Sequence, residues 1–165
     1  MMIGLISDTH GVFDAPFRDF LSPVDELWHA GDIGGGMDLV AELREFKPLV
    51  AVCGNIDDRR LLDECPVFRC FTREGVKILM THIGGYPGKY DPAALKRIRE
   101  FSPDLFVCGH SHILKVMNDP KWGMLAVNPG AAGFQGFHIV RTALRFHIDK
   151  GRVHSMEVFE CEKYR

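Results

Sequence analysis

Long hydrophobic runs are missing from this sequence. Its first residues, MMIGLISD, hold only a short apolar stretch with no basic lead, so they read as a first strand and not as a signal peptide or membrane helix. A surplus of one charge is missing too. Lys and Arg total 20 against 22 Asp and Glu, a net charge of −2, which gives no electrostatic ground for a strong nucleic-acid-binding surface. A nucleic acid stays admissible as a substrate, because an enzyme can grip phosphate through metal ions. There is no Cys-x-x-Cys pair. The five cysteines, Cys53, Cys65, Cys70, Cys108 and Cys161, are an odd number, whereas a secreted disulfide framework prefers an even one. They read as reduced thiols of a cytoplasmic protein. Repeats, low-complexity tracts and linkers are absent as well, and 46% hydrophobic with 25% charged residues is a globular balance. The reading is one domain over residues 1–165, with a substantial core and no membrane partner; a homo-oligomer is left open.

What is present is an alternation of strands and helices. Buried strands are predicted at 2–7, 25–30, 49–53, 104–108 and 124–128, and helices at 15–22, 36–46 and 91–101. The last helix has Asp91 to cap it, Pro92 at its first position and Leu95, Ile98 and Phe101 as its apolar stripe. The charge run DDRRLLDE (57–64) reads as a short helix with a solvated face, stopped by Pro66. VFRCFTREGVKILMT reads as two strands joined at Glu74-Gly75, and TALRFHID, with Leu144, Phe146 and Ile148 inward, opens a C-terminal hairpin turning at Lys150-Gly151. Alternation first and strands last imply an α/β layered domain with mixed sheets.

The polar residues fall where the strands stop. GLIS runs into Asp8 and His10, ELWHAG into Asp32, LVAVCG into Asn55, VKILMT into His82 and LFVCG into His110 and His112. Each alone has a plain explanation, since Asp and Asn are common in turns and a histidine at a strand end can be solvated. His110 and His112, one residue apart, would point to the same side of an extended chain, which suits a shared metal and a wet strand face equally. Seven such residues at five strand ends make a convergent site, because in α/β sheets the site lies outside the carboxyl ends of the strands.

The set is oxygen and imidazole with no thiolate, which suits manganese, iron, zinc or nickel. Seven ligands are too many for one such ion, so two ions sharing a carboxylate are expected, manganese foremost. Ions about 3.5–4 Å apart activate a bridging hydroxide for in-line attack on phosphorus. The substrate expected is a small phosphoester.

In this order Asp8-Thr9-His10, Gly31-Asp32, Gly54-Asn55, His82 and Gly109-His110-Ser111-His112 resemble the motifs of the calcineurin-like metallophosphoesterase superfamily. The short chain and Asn128-Pro129-Gly130 look most like its small bacterial and archaeal phosphodiesterase branch, related to the retromer's phosphoesterase-like subunit. The resemblance implies a four-layer α/β/β/α sandwich with two mixed β-sheets. It places one metal on Asp8, His10, Asp32 and His112 and the other on Asp32, Asn55, His82 and His110, with Asp32 bridging. Asp32, Asn55 and His82 are then the catalytic residues, and Asn55 also binds the substrate phosphate. The activity implied is phosphodiester hydrolysis; phosphomonoester hydrolysis and a non-catalytic binding scaffold are the alternatives. One departure stands out: many members follow Gly-Asn with His, and here Ile56 follows.

His29 reads as a packed strand histidine, and Cys53 and Cys108 as small core residues. THIGGYPGKY (81–90) and GAAGFQGFH (130–138) are Gly-rich and read first as ordinary loops. As functional candidates they bring Tyr86, Lys89, His138 and, just beyond, Arg141 to the substrate.

Overall fold

The computed structural model describes residues 1–164. Strands β1 (Met2–Ile6), β2 (Glu26–His29) and β3 (Leu49–Ala51) alternate with helices α1 (Ala15–Leu21) and α2 (Gly36–Phe46). A 3-10 turn (Arg59–Leu61) follows, then β4 (Phe68–Arg73), β5 (Val76–Thr81) and a small hairpin of β6 (Gly85–Tyr86) and β7 (Lys89–Tyr90). Helix α3 (Pro92–Phe101), β8 (Leu105–Val107), β9 (Leu114–Asp119) and β10 (Met124–Pro129) come next, and β11 (Val140–Asp149) with β12 (Arg152–Glu162) closes the chain.

Two five-stranded mixed sheets result, in the orders β12-β11-β1-β2-β3 and β4-β5-β8-β10-β9. In the first, β1, β2 and β3 are parallel; in the second, β5, β8 and β10 are. The period-two alternation of the strands sorts apolar side chains into layers. Ile3, Leu5, Trp28, Ile78, Met80, Leu105, Phe146 and Ile148 fill the space between the sheets. Ile6 and Leu27 point the other way, onto Phe17 and Leu21 of α1 and Leu39, Val40 and Leu43 of α2. Leu79 and Phe106 face outward from the second sheet onto Ala94 and Ile98 of α3. Three apolar interfaces make the four-layer α/β/β/α sandwich. Gly4 is small for a packing reason: a Cβ there would stand 2.7 Å from Leu21 Cδ2.

Several expectations are refined. Asp91 caps α3 through Oδ1, accepting from the Ala93 and Ala94 amides, but Ala94 rather than Leu95 carries the buried face with Ile98. The 57–64 helix shrinks to one 3-10 turn over Arg59–Leu61, capped by Asp58 Oδ1, which accepts from the Arg60 amide. The 81–90 loop contains the β6–β7 hairpin. Strand β9 went unseen, since Val116 and Met117 are neighbours on an edge strand and both are exposed, so no alternation marks them. No helix among the described residues is long and apolar enough to cross a membrane.

Candidate metal centre

Both parallel sets of strands end on the same side of the sandwich, and the loops leaving them carry the candidate ligands. Asp8, Asp32 and His82 are buried, His10 and His112 partly so, and Asn55 and His110 lie at the exposed lip. The ligand atoms form two groups, Asp8–His10–His112 and Asp32–His82–His110, each within 4.8 Å of one another. Asp32 lies between the groups: Oδ1 is 3.3 Å from His82 Nε2, and Oδ2 is 3.8 Å from His10 Nε2 of the other group. Asn55 Oδ1 and His110 Nδ1 are 2.9 Å apart at the open edge of the second group.

The backbone is held in an unfavourable conformation to achieve this. Asp8, His10, Asp32, His110 and His112 have φ of 54°, 48°, 52°, 70° and 57°, in the left-handed region. Such conformations cost on the order of 1–3 kcal/mol each and persist only where surrounding structure enforces them. They also explain His110 and His112. The segment is not extended, so the two rings do not face one side, and each joins a different group, the division that the resemblance implied.

The glycines beside the ligands serve close approach. A Cβ on Gly54 would stand 2.0 Å from Asp32 Oδ1, and one on Gly109 would stand 2.0 Å from Ser7 Oγ and 2.9 Å from Asp8 Oδ2. Each ligand loop thus crosses another ligand's side chain with no room to spare.

Electrostatics prepare the carboxylates. Burial alone would push Asp8 up, but the His112 and His82 imidazoles and the Ser7 hydroxyl outweigh it and hold the carboxyl below its usual range. Asp32 behaves likewise: burial opposes, while His82 and the Ile56 amide prevail. Burial would lower His82, but Asp32 and Asp8 raise it. His82 Nδ1 lies 2.8 Å from the Ala30 carbonyl, which can only accept, so the proton sits on Nδ1 and Nε2 is left to face the carboxylates.

The donor set fits divalent ions. Asp8 Oδ1, His10 Nε2 and His82 Nε2 are buried without a hydrogen-bond partner, a costly condition in protein alone. His112 Nε2 comes within 3.0 Å of Asp8 Oδ1, yet that oxygen still lacks an aligned donor. An ion in each group would satisfy these atoms.

Residues outside the ligand set fix its shape. Ser7 Oγ donates to Asp8 Oδ2 at 2.6 Å. Asp57 accepts from the amides of Ile33 and Gly54 through Oδ2 and from Gly34 through Oδ1, tying the Asp32 loop to the Asn55 loop. Asn128 Nδ2 donates to the Gly109 carbonyl at 2.7 Å and to Ser111 Oγ at 3.1 Å, holding the histidine loop. His29 packs as expected: Nε2–H donates to Thr9 Oγ1, whose own proton goes to the Ile33 carbonyl, and Nδ1 accepts from Gly31.

The substrate candidates separate. Lys89 lines a cavity that His110 also borders. His138 packs its ring 5.1 Å from the His112 ring and meets the Gly133 carbonyl through Nε2. Arg141 is not at the centre's disposal: it is 3% exposed, doubly bonded to Asp14, and bonded to the Ala132 carbonyl. It lies in strand β11, beyond the Gly-rich loop.

The comparisons agree with this geometry. The model of the calcineurin-like phosphoesterase superfamily domain matches residues 1–151. No curated protein matches the chain by sequence. Among solved structures, Vps29 of Entamoeba histolytica in complex with Zn2+ superposes with a TM-score of 0.74 at 19% identity, covering 99% of each chain. A Thermotoga maritima protein solved by NMR gives 0.69 at 25% identity over 97% of this chain and 99% of its own. A predicted phosphoesterase from Streptococcus pneumoniae gives 0.64 at 18% identity, covering 97% of each. With its sandwich, its two ligand groups and a family match over most of its length, this chain belongs to the calcineurin-like phosphoesterase superfamily.

Proposed function

We propose that the protein is a dinuclear metal-dependent phosphodiesterase, with manganese the foremost metal. The observation that supports this most is the split ligand set, with Asp32 reaching both groups. In this reading Asp8, His10 and His112 hold one ion, His82, His110 and Asn55 the other, and Asp32 bridges. Two such ions supply Lewis acidity that activates water and neutralises the phosphate oxygens. The protein's own part is to keep Asp8 and Asp32 ionised, to present Nε2 of His82, and to keep Asn55 at the open edge where it meets a phosphate oxygen. Ile56, 49% exposed, offers no proton to a leaving group. Protonation of an alkoxide is typically worth ~10²–10⁴-fold, so activated diesters are the better substrates and ordinary alkyl phosphates the poorer.

The test is turnover of bis(p-nitrophenyl) phosphate and p-nitrophenyl phosphate by protein loaded with Mn2+, beside elemental analysis. The proposal expects about two metals per chain and faster diester cleavage. Faster monoester cleavage makes it a phosphomonoesterase. Metal without cleavage makes it a binding scaffold, and no metal at all removes the proposal.

A further inference from the structure

A cavity of about 420 Å³ opens beside the second ligand group, between the β6–β7 hairpin and the histidine loop. Its volume lies within the range of small-molecule sites. His110 and Ser111 form the border toward the centre, and Ile83, Tyr86 and Ile113 supply apolar walls. These three are 42%, 41% and 60% exposed, so each keeps apolar surface open to solvent in the protein alone. Lys89 and Lys115 line the same cavity, and Lys115 Nζ stands 3.9 Å from the centroid of the Tyr86 ring. The carboxylate at the rim, Asp91, is committed to capping α3. The hairpin wall is anchored: the Tyr90 hydroxyl donates to Asp119, and its ring packs edge-on against Phe106.

We propose that this cavity is the subsite for the organic arm of the substrate, and that the arm is a flat aromatic group bearing a second anionic group, the chemistry of a nucleoside phosphate. The inference deepens the phosphodiesterase reading and rests on it. An apolar wall with a tyrosine face favours a planar ring. Two lysines at the same wall favour an anion next to that ring, where Lys115 can keep its contact with Tyr86 while pairing with the anion. An aliphatic arm would satisfy the isoleucines and leave the lysines unused. A bare phosphate would satisfy the lysines and leave the apolar wall wet. The border at His110 connects this arm to a scissile phosphorus held at the centre.

The test uses metal-free protein, so that binding is read apart from turnover. Adenosine 5′-monophosphate, adenosine and inorganic phosphate are titrated against the full chain by isothermal calorimetry. The expected result is that adenosine 5′-monophosphate binds roughly tenfold or more tighter than either fragment. Tyr86→Ala and Lys115→Ala should each weaken it by about fivefold or more, with Lys115→Gln as a second charge-removing variant and thermal melts showing that all are folded. Equal binding of the nucleotide and inorganic phosphate overturns the proposal, and so does nucleotide binding that is unchanged in these variants. If the nucleotide does not bind while wild-type protein takes up two metals and cleaves the aryl diester, the subsite falls and the phosphodiesterase reading stands. If no metal is taken up, that reading falls whatever the nucleotide does.

Discussion

Asp57 acts on the centre through backbone alone. Its two oxygens accept three amides, those of Ile33, Gly34 and Gly54, on both sides of the Asp32 carboxylate. Hydrogen bonds to a charged group contribute about 1.5–3 kcal/mol each and are not additive. Asp57→Ala is therefore expected to lower unfolding free energy by about 2–4 kcal/mol and to weaken metal binding without removing a ligand, as read by denaturant melts and a Mn2+ titration. His29 gives a pH prediction. Burial, above all, holds its ring down to about 4, against an ordinary value near 6.5, and its Nδ1 already accepts from Gly31. The unfolded chain thus binds a proton between about pH 6.5 and 4 that the folded chain refuses. Stability from His29 is complete above that window and declines as pH falls through it, by up to about 1.4 kcal/mol per unit. His29→Gln should show a shallower acid decline than wild type in melts across this range. The seven candidate residues themselves were legible in the sequence because each stops an apolar strand. Asp57 was not, since it opens a charge run and only the folded chain brings Ile33 and Gly54 to it.

At the scale of elements, short strands end on loops that interlock. The Gly54 loop lies against Asp32, and the Gly109 loop lies against Ser7 and Asp8. Gly54→Ala places a methyl carbon 2.0 Å from Asp32 Oδ1, so the Asp32 carboxylate must move. The expected outcome is metal affinity lowered by about tenfold or more with the fold retained, measured by Mn2+ titration and circular dichroism. Glycines next to the candidate ligands were visible in the sequence. What the chain order hid was the partner, because Gly54 and Asp32 come from different loops. The left-handed backbone at His110 and His112 was hidden as well. An extended chain gave no reason to divide the two rings, whereas the folded backbone turns them to separate groups. Helix α2 kept its anticipated bounds, Gly36–Phe46, because its 3.6-residue stripe meets a flat sheet face.

For the whole molecule, the sandwich places its candidate ligands on loops from two sheets, so metal binding would tie the sheets together. Asp8, His10 and Asp32 leave the first sheet, and His82, His110 and His112 leave the second. Each ligand group mixes residues of both. One ion that binds the folded chain alone raises stability by about 2.7 kcal/mol at a hundredfold excess over its Kd. For a domain of this size that is a rise in Tm of roughly 5–10 °C, reversed by chelation and readable in a thermal scan with and without Mn2+. The layer architecture was legible from alternating elements and inward Leu144, Phe146 and Ile148, all of which lie between the sheets. The edge strand β9 and the β6–β7 hairpin were not, because edges carry weak alternation.

Two ions are expected to share this site, one to each histidine of the Gly109-His110-Ser111-His112 loop. Anomalous scattering from a crystal grown with Mn2+ tests it directly. Two manganese peaks about 3.5–4 Å apart are expected, one among Asp8, His10 and His112 and the other among Asp32, His82 and His110. A single peak bound by both His110 and His112, or no peak at these residues, would contradict it.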